Sequence, residues 1–165
     1  MISQQLFEFI KDKQIEYVVA VPCQEFLELI ELIRHDSDIT LLSPAREDDG
    51  LGILIGLTLS DKKCLGIFQD TLLGNSQNVF ALITRCTKIG LNLWLGSRSG
   101  EFLQRNLVHE FITAHFGDLT SDNQIKTAQL VLPDINQLKP QQLQKIAQSY
   151  IDSDNSLSIL QVVSS

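Results

Sequence analysis

Glu47, Asp48 and Asp49 form the one carboxylate cluster between Ser43 and Asn78, where a short apolar strand hands over to a Gly-spaced helix. In a parallel α/β sheet, ligands bind beyond the carboxyl ends of the strands, so an acid at this handover is placed to meet one. Burial of such a carboxylate would raise its proton affinity. Three adjacent acids also repel one another, which raises the proton affinity of whichever is least solvated. Glu47 has a plainer role open to it as well, in the first turn of a helix whose dipole favours an acid. The second polar run, Gln69 to Asn78, reads as a strand-to-helix turn with Asp70 or Thr71 as its cap. Of the histidines, His109 follows Arg105 by four residues and Arg105 follows Glu101 by four, the spacing of a solvated, salt-bridging helix face. His35 and His115 have no partner spacing and are expected on the surface.

These residues need elements to hold them, and the chain supplies an alternating series. A helix starts near Ser3, and Tyr17 to Val21 is a β-branched run ended by Pro22. Phe26 to Ile33 marks a second helix and Ile39 to Leu42 a second strand. Helix three is expected over Glu47 to Ser60, strand three over Cys64 to Gln69, and helix four from Gly74 to Thr87. Then come a strand at Leu91 to Leu95, a helix from Glu101 to Phe116 and a strand from Lys126 to Leu132. Pro140 opens a helix reaching Tyr150, and Ser158 to Val163 is a last strand. Strands alternating with helices predict one α/β domain spanning 1–165, a doubly wound parallel sheet with helices on both faces and right-handed crossovers. Gly52 and Gly56 share a face of helix three, at about 1 kcal/mol each against Ala. Either another backbone approaches that face closely, or it packs on the sheet in the ordinary way.

Composition removes several classes of function. Thirteen basic residues against 20 acidic ones give a formal charge of −7, which argues against nucleic acid as a partner. The arginines (Arg34, Arg46, Arg85, Arg98, Arg105) are scattered, with no basic stripe. The longest apolar run, Leu51 to Leu59, falls far short of a membrane span, and no basic start leads into an apolar export signal. A cytoplasmic location is expected. Cys23, Cys64 and Cys86 are odd in number and far apart, so neither a disulfide frame nor a zinc site is expected, and each reads as a core or near-core residue. No Gly-rich phosphate turn follows the first strand, which disfavours a flavodoxin-like nucleotide binder.

Three stretches in order carry a resemblance: Val21-Pro22-Cys23, then Ala45-Arg46-Glu47-Asp48 with Gly52 and Gly56, then Phe68-Gln69-Asp70-Thr71-Leu72-Leu73-Gly74-Asn75-Ser76-Gln77-Asn78. Together they resemble the pyrimidine-binding domain of thiamine-diphosphate decarboxylases, in particular sulfopyruvate and phosphonopyruvate decarboxylases. The family's patterns there run VPCS, NEGEAVGIAAG and QNSGLGNAVN. The resemblance implies the thiamine-diphosphate-binding fold of pyrimidine-domain type. It also implies that Glu47 hydrogen-bonds the aminopyrimidine ring nitrogen and favours the tautomer that accepts the thiazolium proton, while the cofactor carries the hard chemistry. Gln69, Gly74, Asn75 and Asn78 match the loop against the pyrimidine, and Cys23, Arg98 and His109 match positions near the substrate. Two departures stand out. Leu72 replaces a Gly where backbone should approach the cofactor, and Arg105-Asn106-Leu107-Val108 replaces a DEPQ-like run before the histidine.

The family holds the diphosphate and its Mg²⁺ through a GDG motif and a following Asn, since hard cations prefer oxygen ligands. This chain has no GDG. The resemblance therefore implies an α subunit that takes thiamine diphosphate and a small 2-oxoacid only with a diphosphate-binding β subunit, which carries the GDG motif and binds the Mg²⁺. It binds no metal of its own, and assembles as a hetero-oligomer or as a homodimer through helix 47–60. The alternative is a non-catalytic homologue that keeps the fold and serves assembly or regulation.

Overall fold

Two valines in Tyr17–Ala20 make a short strand, β1, that is buried from Val18 onward. The structure is a computed structural model and describes residues 2–87, 89–98, 107–121, 125–131, 139–151 and 157–164. The other strands are β2 (Thr40–Leu42), β3 (Cys64–Gln69), β4 (Leu91–Arg98), β5 (Ile125–Val131) and β6 (Leu157–Ser164). They form one sheet in the order β2-β1-β3-β4-β6-β5, every neighbouring pair parallel. The doubly wound expectation is met. The chain steps outward from β1 to β2, then crosses back to β3 on the other side of β1, so the strand order reverses between β1 and β3.

Strands buried on both faces send alternate side chains to two cores. Val18, Ala20, Leu65, Ile67, Trp94 and Leu160 point to one face, covered by α1 (Ile2–Asp12), α2 (Leu27–Arg34) and α8 (Pro140–Ile151). Val19, Phe68, Leu93, Leu95 and Ile159 point to the other, covered by α3 (Glu47–Leu59), α4 (Thr71–Asn75), α5 (Gln77–Ala81), α6 (Leu107–Ala114) and α7 (Phe116–Leu119). In α1 the buried residues Leu6, Phe9 and Ile10 keep the three-and-four spacing of an amphipathic helix. In α3, by contrast, apolar residues run all the way round, so one face meets the sheet and another is left outside.

Three expectations change. Helix four does not run unbroken from Gly74 to Thr87. It starts at Thr71, breaks at Ser76 (φ −122°, ψ 22°), resumes as α5 and ends in a wider π-helical turn over Leu82–Thr87. Ser76 is buried and leaves helical dihedrals, a break that apolar periodicity does not register. The helix expected over Glu101 to Phe116 is likewise divided at His115 (φ −106°, ψ 16°), and its residues 101–106 lie outside the described ones. Cys86 is exposed rather than in the core, whereas Cys23 and Cys64 are buried as expected. Desolvation pushes the Cys64 thiol up, away from reactivity. His35 and His115 are exposed, as expected. Among the described residues no helix is long and apolar enough to cross a membrane.

Candidate functional site

The parallel order sets the carboxyl ends of β2, β1, β3 and β4 side by side along one edge. That edge gathers the Glu47 turn after β2, Cys23 after β1, the Gln69–Asn78 segment after β3, and Arg98 as the last residue of β4. The reversal of strand order falls within it, between β1 and β3, the place where open α/β sheets bind ligands.

Gly50 brings two parts of the edge together. A methyl group on it would lie 2.6 Å from Phe68 Cε1 and 3.0 Å from Pro44 Cγ, so only glycine lets the first turn of α3 rest on the end of β3. Glu47 is thereby carried onto the strand end that holds Gln69. The Arg46 guanidinium grips Asp48 through Nε and Nη2, at 2.9 Å and 3.0 Å. That pairing holds the Asp48 carboxyl below the usual carboxylate range. The expected repulsion among three acids is therefore relieved at Asp48, whose charge is matched. The Glu47 side chain is half-buried and in no hydrogen bond or salt bridge among the described residues, its charge felt by the nearby Arg46, while Asp49 faces solvent.

Of the loop residues, Gln69 is half-buried and Gly74, Asn75 and Asn78 are exposed. Asn78 is turned locally, its Oδ1 accepting from the Val79 N–H at 2.9 Å. Leu72 is fully buried in the core beneath α3. The expected cap is absent, because Asp70 makes no side-chain bond to the start of α4. Its buried carboxylate instead accepts from Ser97 Oγ at the end of β4. Cys23 Sγ is directed at Phe68 O, 3.8 Å away. Arg98 ends β4 and His109 belongs to the first turn of α6; where their side chains lead falls outside the described residues.

Two acids at this edge are not among the expected groups of the site, Asp70 being expected only as a helix cap. Besides Asp70 there is Glu25, half-buried in the 3₁₀ turn Gln24–Phe26 that follows β1. A methyl on Gly96 would fall 2.5 Å from Glu25 Oε2 and 2.9 Å from Cys23 Sγ, so the carboxylate lies over bare backbone of β4. Its position two residues after Cys23, just past the first strand, was the available signal. On the outer face of α3 the reading as ordinary packing on the sheet fails, and close approach by a backbone of another chain stays open. No atom of the other described residues lies within 4 Å of where a methyl on Gly52 or Gly56 would be, the helix's own nearby backbone aside, and Ile53 and Leu59 are 40% and 66% exposed. Packing on the sheet is thus excluded for that face. Among the described residues no group of three or more His, Cys, Asp or Glu could hold a metal ion. A groove of about 760 Å³ opens between α1 and α2, lined by Phe7, Leu27 and Leu32, on the sheet's opposite face from α3.

No family model matches the chain. Curated relatives are sulfopyruvate decarboxylase alpha subunits. That of Methanocaldococcus jannaschii is 30% identical over 96 residues, 58% of this chain and 57% of that protein. The Methanothermobacter thermautotrophicus protein is 29% identical over 104 residues, 62% and 63% of the two chains. The Methanococcus maripaludis protein is 27% identical over 96 residues, 58% of each. The matches thus span less than two thirds of each relative. Among solved structures, a 2-oxoglutarate:ferredoxin oxidoreductase from Magnetococcus marinus superimposes with TM-score 0.67 over 98% of this chain and 28% of its own, at 12% identity. A split-gene transketolase does so with TM-score 0.61 over 98% and 49%, at 11% identity. In sequence the chain is similar to sulfopyruvate decarboxylase alpha subunits, as the three stretches implied, and its fold is the doubly wound α/β fold of the thiamine-diphosphate-binding type.

Proposed function

We propose that this chain is the pyrimidine-binding α subunit of a heteromeric, thiamine-diphosphate-dependent 2-oxoacid decarboxylase of the sulfopyruvate or phosphonopyruvate kind. The observation that carries the reading is Glu47, which lies along the carboxyl ends of the strands, half-buried, its side chain in no hydrogen bond or salt bridge among the described residues, while its neighbour Asp48 is tied to Arg46. When bound, thiamine diphosphate supplies the carbon nucleophile and electron sink that such a decarboxylation needs. Glu47 Oε would share a proton with the pyrimidine ring nitrogen, and Gln69 would flank the ring. Asp48, held by Arg46, stays charged and out of that exchange. A β subunit with a GDG motif would bring the diphosphate and Mg²⁺, and in covering the edge would exclude water from Glu47, strengthening the proton sharing. The outward face of α3 around Gly52, Ile53 and Gly56 would meet a second subunit. The rival reading, a non-catalytic homologue, is favoured by Leu72 and by the altered run before His109, and disfavoured by an intact Glu47.

The test mixes the chain with a candidate GDG-containing chain, thiamine diphosphate, Mg²⁺ and either sulfopyruvate or phosphonopyruvate, and follows CO₂ release. Release is expected from the mixture and not from either chain alone. Calorimetry on the lone chain should detect no Mg²⁺-dependent cofactor binding in the sub-micromolar range. Tight binding by the lone chain, or a stable complex that decarboxylates neither acid, would overturn the proposal.

A further inference from the structure

Asp70 is a wholly buried carboxylate that the proposed chemistry does not use. Its backbone N–H donates to Gly96 O at 2.9 Å, which fixes it against β4. Its Oδ2 accepts from Ser97 Oγ, and Ser97 Oγ lies 2.6 Å from Thr113 Oγ1 on α6. A serine hydroxyl has one proton. With that proton given to Asp70, the contact to Thr113 is satisfied only if Thr113 donates to Ser97. The three groups thus form a directed chain from α6 through β4 to the carboxylate at the end of β3. A second contact reinforces it: a methyl on Gly74 would lie 3.3 Å from Ile112 Cδ1, so Ile112 of α6 packs onto the bare backbone of α4.

We propose that Asp70 is a positioning residue whose carboxylate, through Ser97 and Thr113, locks α6 onto the open edge of the sheet. A carboxylate suits the task because hydrogen bonds to a charged acceptor are roughly twice as strong as neutral ones. A buried carboxylate would also be costly without donors. Thr113 lies one helical turn after His109, so the lock sets where the His109 turn stands over the Gln69–Asn78 segment. A catalytic use of that placement rests on the decarboxylase reading; the lock itself does not.

Amide exchange on the intact chain separates the two. Thr113→Val keeps shape, removes the hydroxyl and touches a half-buried position, so the fold should survive; Thr113→Ser restores the donor. In Thr113→Val the α6 amides, Leu107–Ala114, should exchange about tenfold faster, the scale of one lost hydrogen bond in a charged chain, while β1 and β3 keep their protection. Thr113→Ser should return α6 to the original rate, and Ser97→Ala should repeat the Val effect. In an active complex, Thr113→Val should lower kcat with cofactor affinity unchanged. Unaltered α6 exchange in Thr113→Val, equal acceleration throughout the chain, or failure of Ser to rescue would overturn the lock. Absence of decarboxylation in the unsubstituted complex would instead count against the function proposed above, leaving the exchange result to stand.

Discussion

At the residue scale, the contrast between Glu47 and Asp49 gives the sharpest test. Both are acids in the first turn of α3, but only Glu47 is half-buried. Glu47→Gln keeps shape and a hydrogen bond while removing the shared proton. Activity of the assembled complex should fall at least about 100-fold, the lower end for lost proton-transfer help. Asp49→Asn should leave kcat within a few-fold, since its side chain faces solvent. Equal and small losses from the two would reduce Glu47 to a helix-start residue. The sequence made Glu47 legible because its place in a strand-to-helix handover is a local property. Asp70 and Glu25 were not legible, because their meaning depends on partners in β4, Ser97 and Gly96, far off in sequence.

At the scale of elements, α3 is the helix whose surface does not match a lone chain. Its apolar residues leave Ile53 and Leu59 in solvent beside Gly52 and Gly56, and a helix apolar all round is one that expects cover on both sides. Ile53→Glu should therefore leave the thermal midpoint of the isolated chain nearly unchanged, as exposed substitutions do. It should abolish association seen by sedimentation at tens of micromolar. Association that survives the substitution would place the interface elsewhere. Element order and type were readable because buried parallel strands and amphipathic helices have distinct periods. The breaks at Ser76 and His115 were not, since each turns on a single residue's dihedrals amid continuous apolar spacing. Sheet order beyond the alternation also had no signal in the pattern, because inserting β6 between β4 and β5 alters no residue's local burial period.

At the scale of the whole molecule, the face opposite the candidate site carries its own electrostatic tie. Lys11 at the end of α1 reaches Asp36 at 2.8 Å and Asp38 at 2.7 Å beyond α2. The hydrogen bond from Lys11 holds Asp36 below the ordinary carboxylate range, and the two carboxylates raise Lys11 above the ordinary lysine value. A lowered carboxylate stabilises the fold above its unfolded pKa, and the contribution fades as pH falls through the lower folded value. A raised lysine contributes below its unfolded pKa and is lost as pH climbs through the folded one. Between those limits the contribution is flat. Lys11→Met should lower the thermal midpoint by a constant amount across neutral pH, and that loss should shrink below about pH 4, the unfolded carboxylate range, which flattens the acid limb. Thermal melts across pH check this, and an unchanged acid limb would show the tie to be idle.

The place of β6 also has a consequence in time. β5 has a single neighbour in the sheet, β6, and β6 reaches the sheet only by pairing with β4, Leu91 against Leu157. β5 thus precedes in the chain the one strand it can zip to, and closing so long a loop costs entropy before any contact offsets it. The strands β1 to β4 can dock first, leaving the rim of β4 with unpaired amides and carbonyls until β6 arrives. During that lag the rim is an adhesive surface for a like intermediate. Refolding yield should then drop with protein concentration and recover on dilution, which slows association of the intermediates without slowing the folding of each chain.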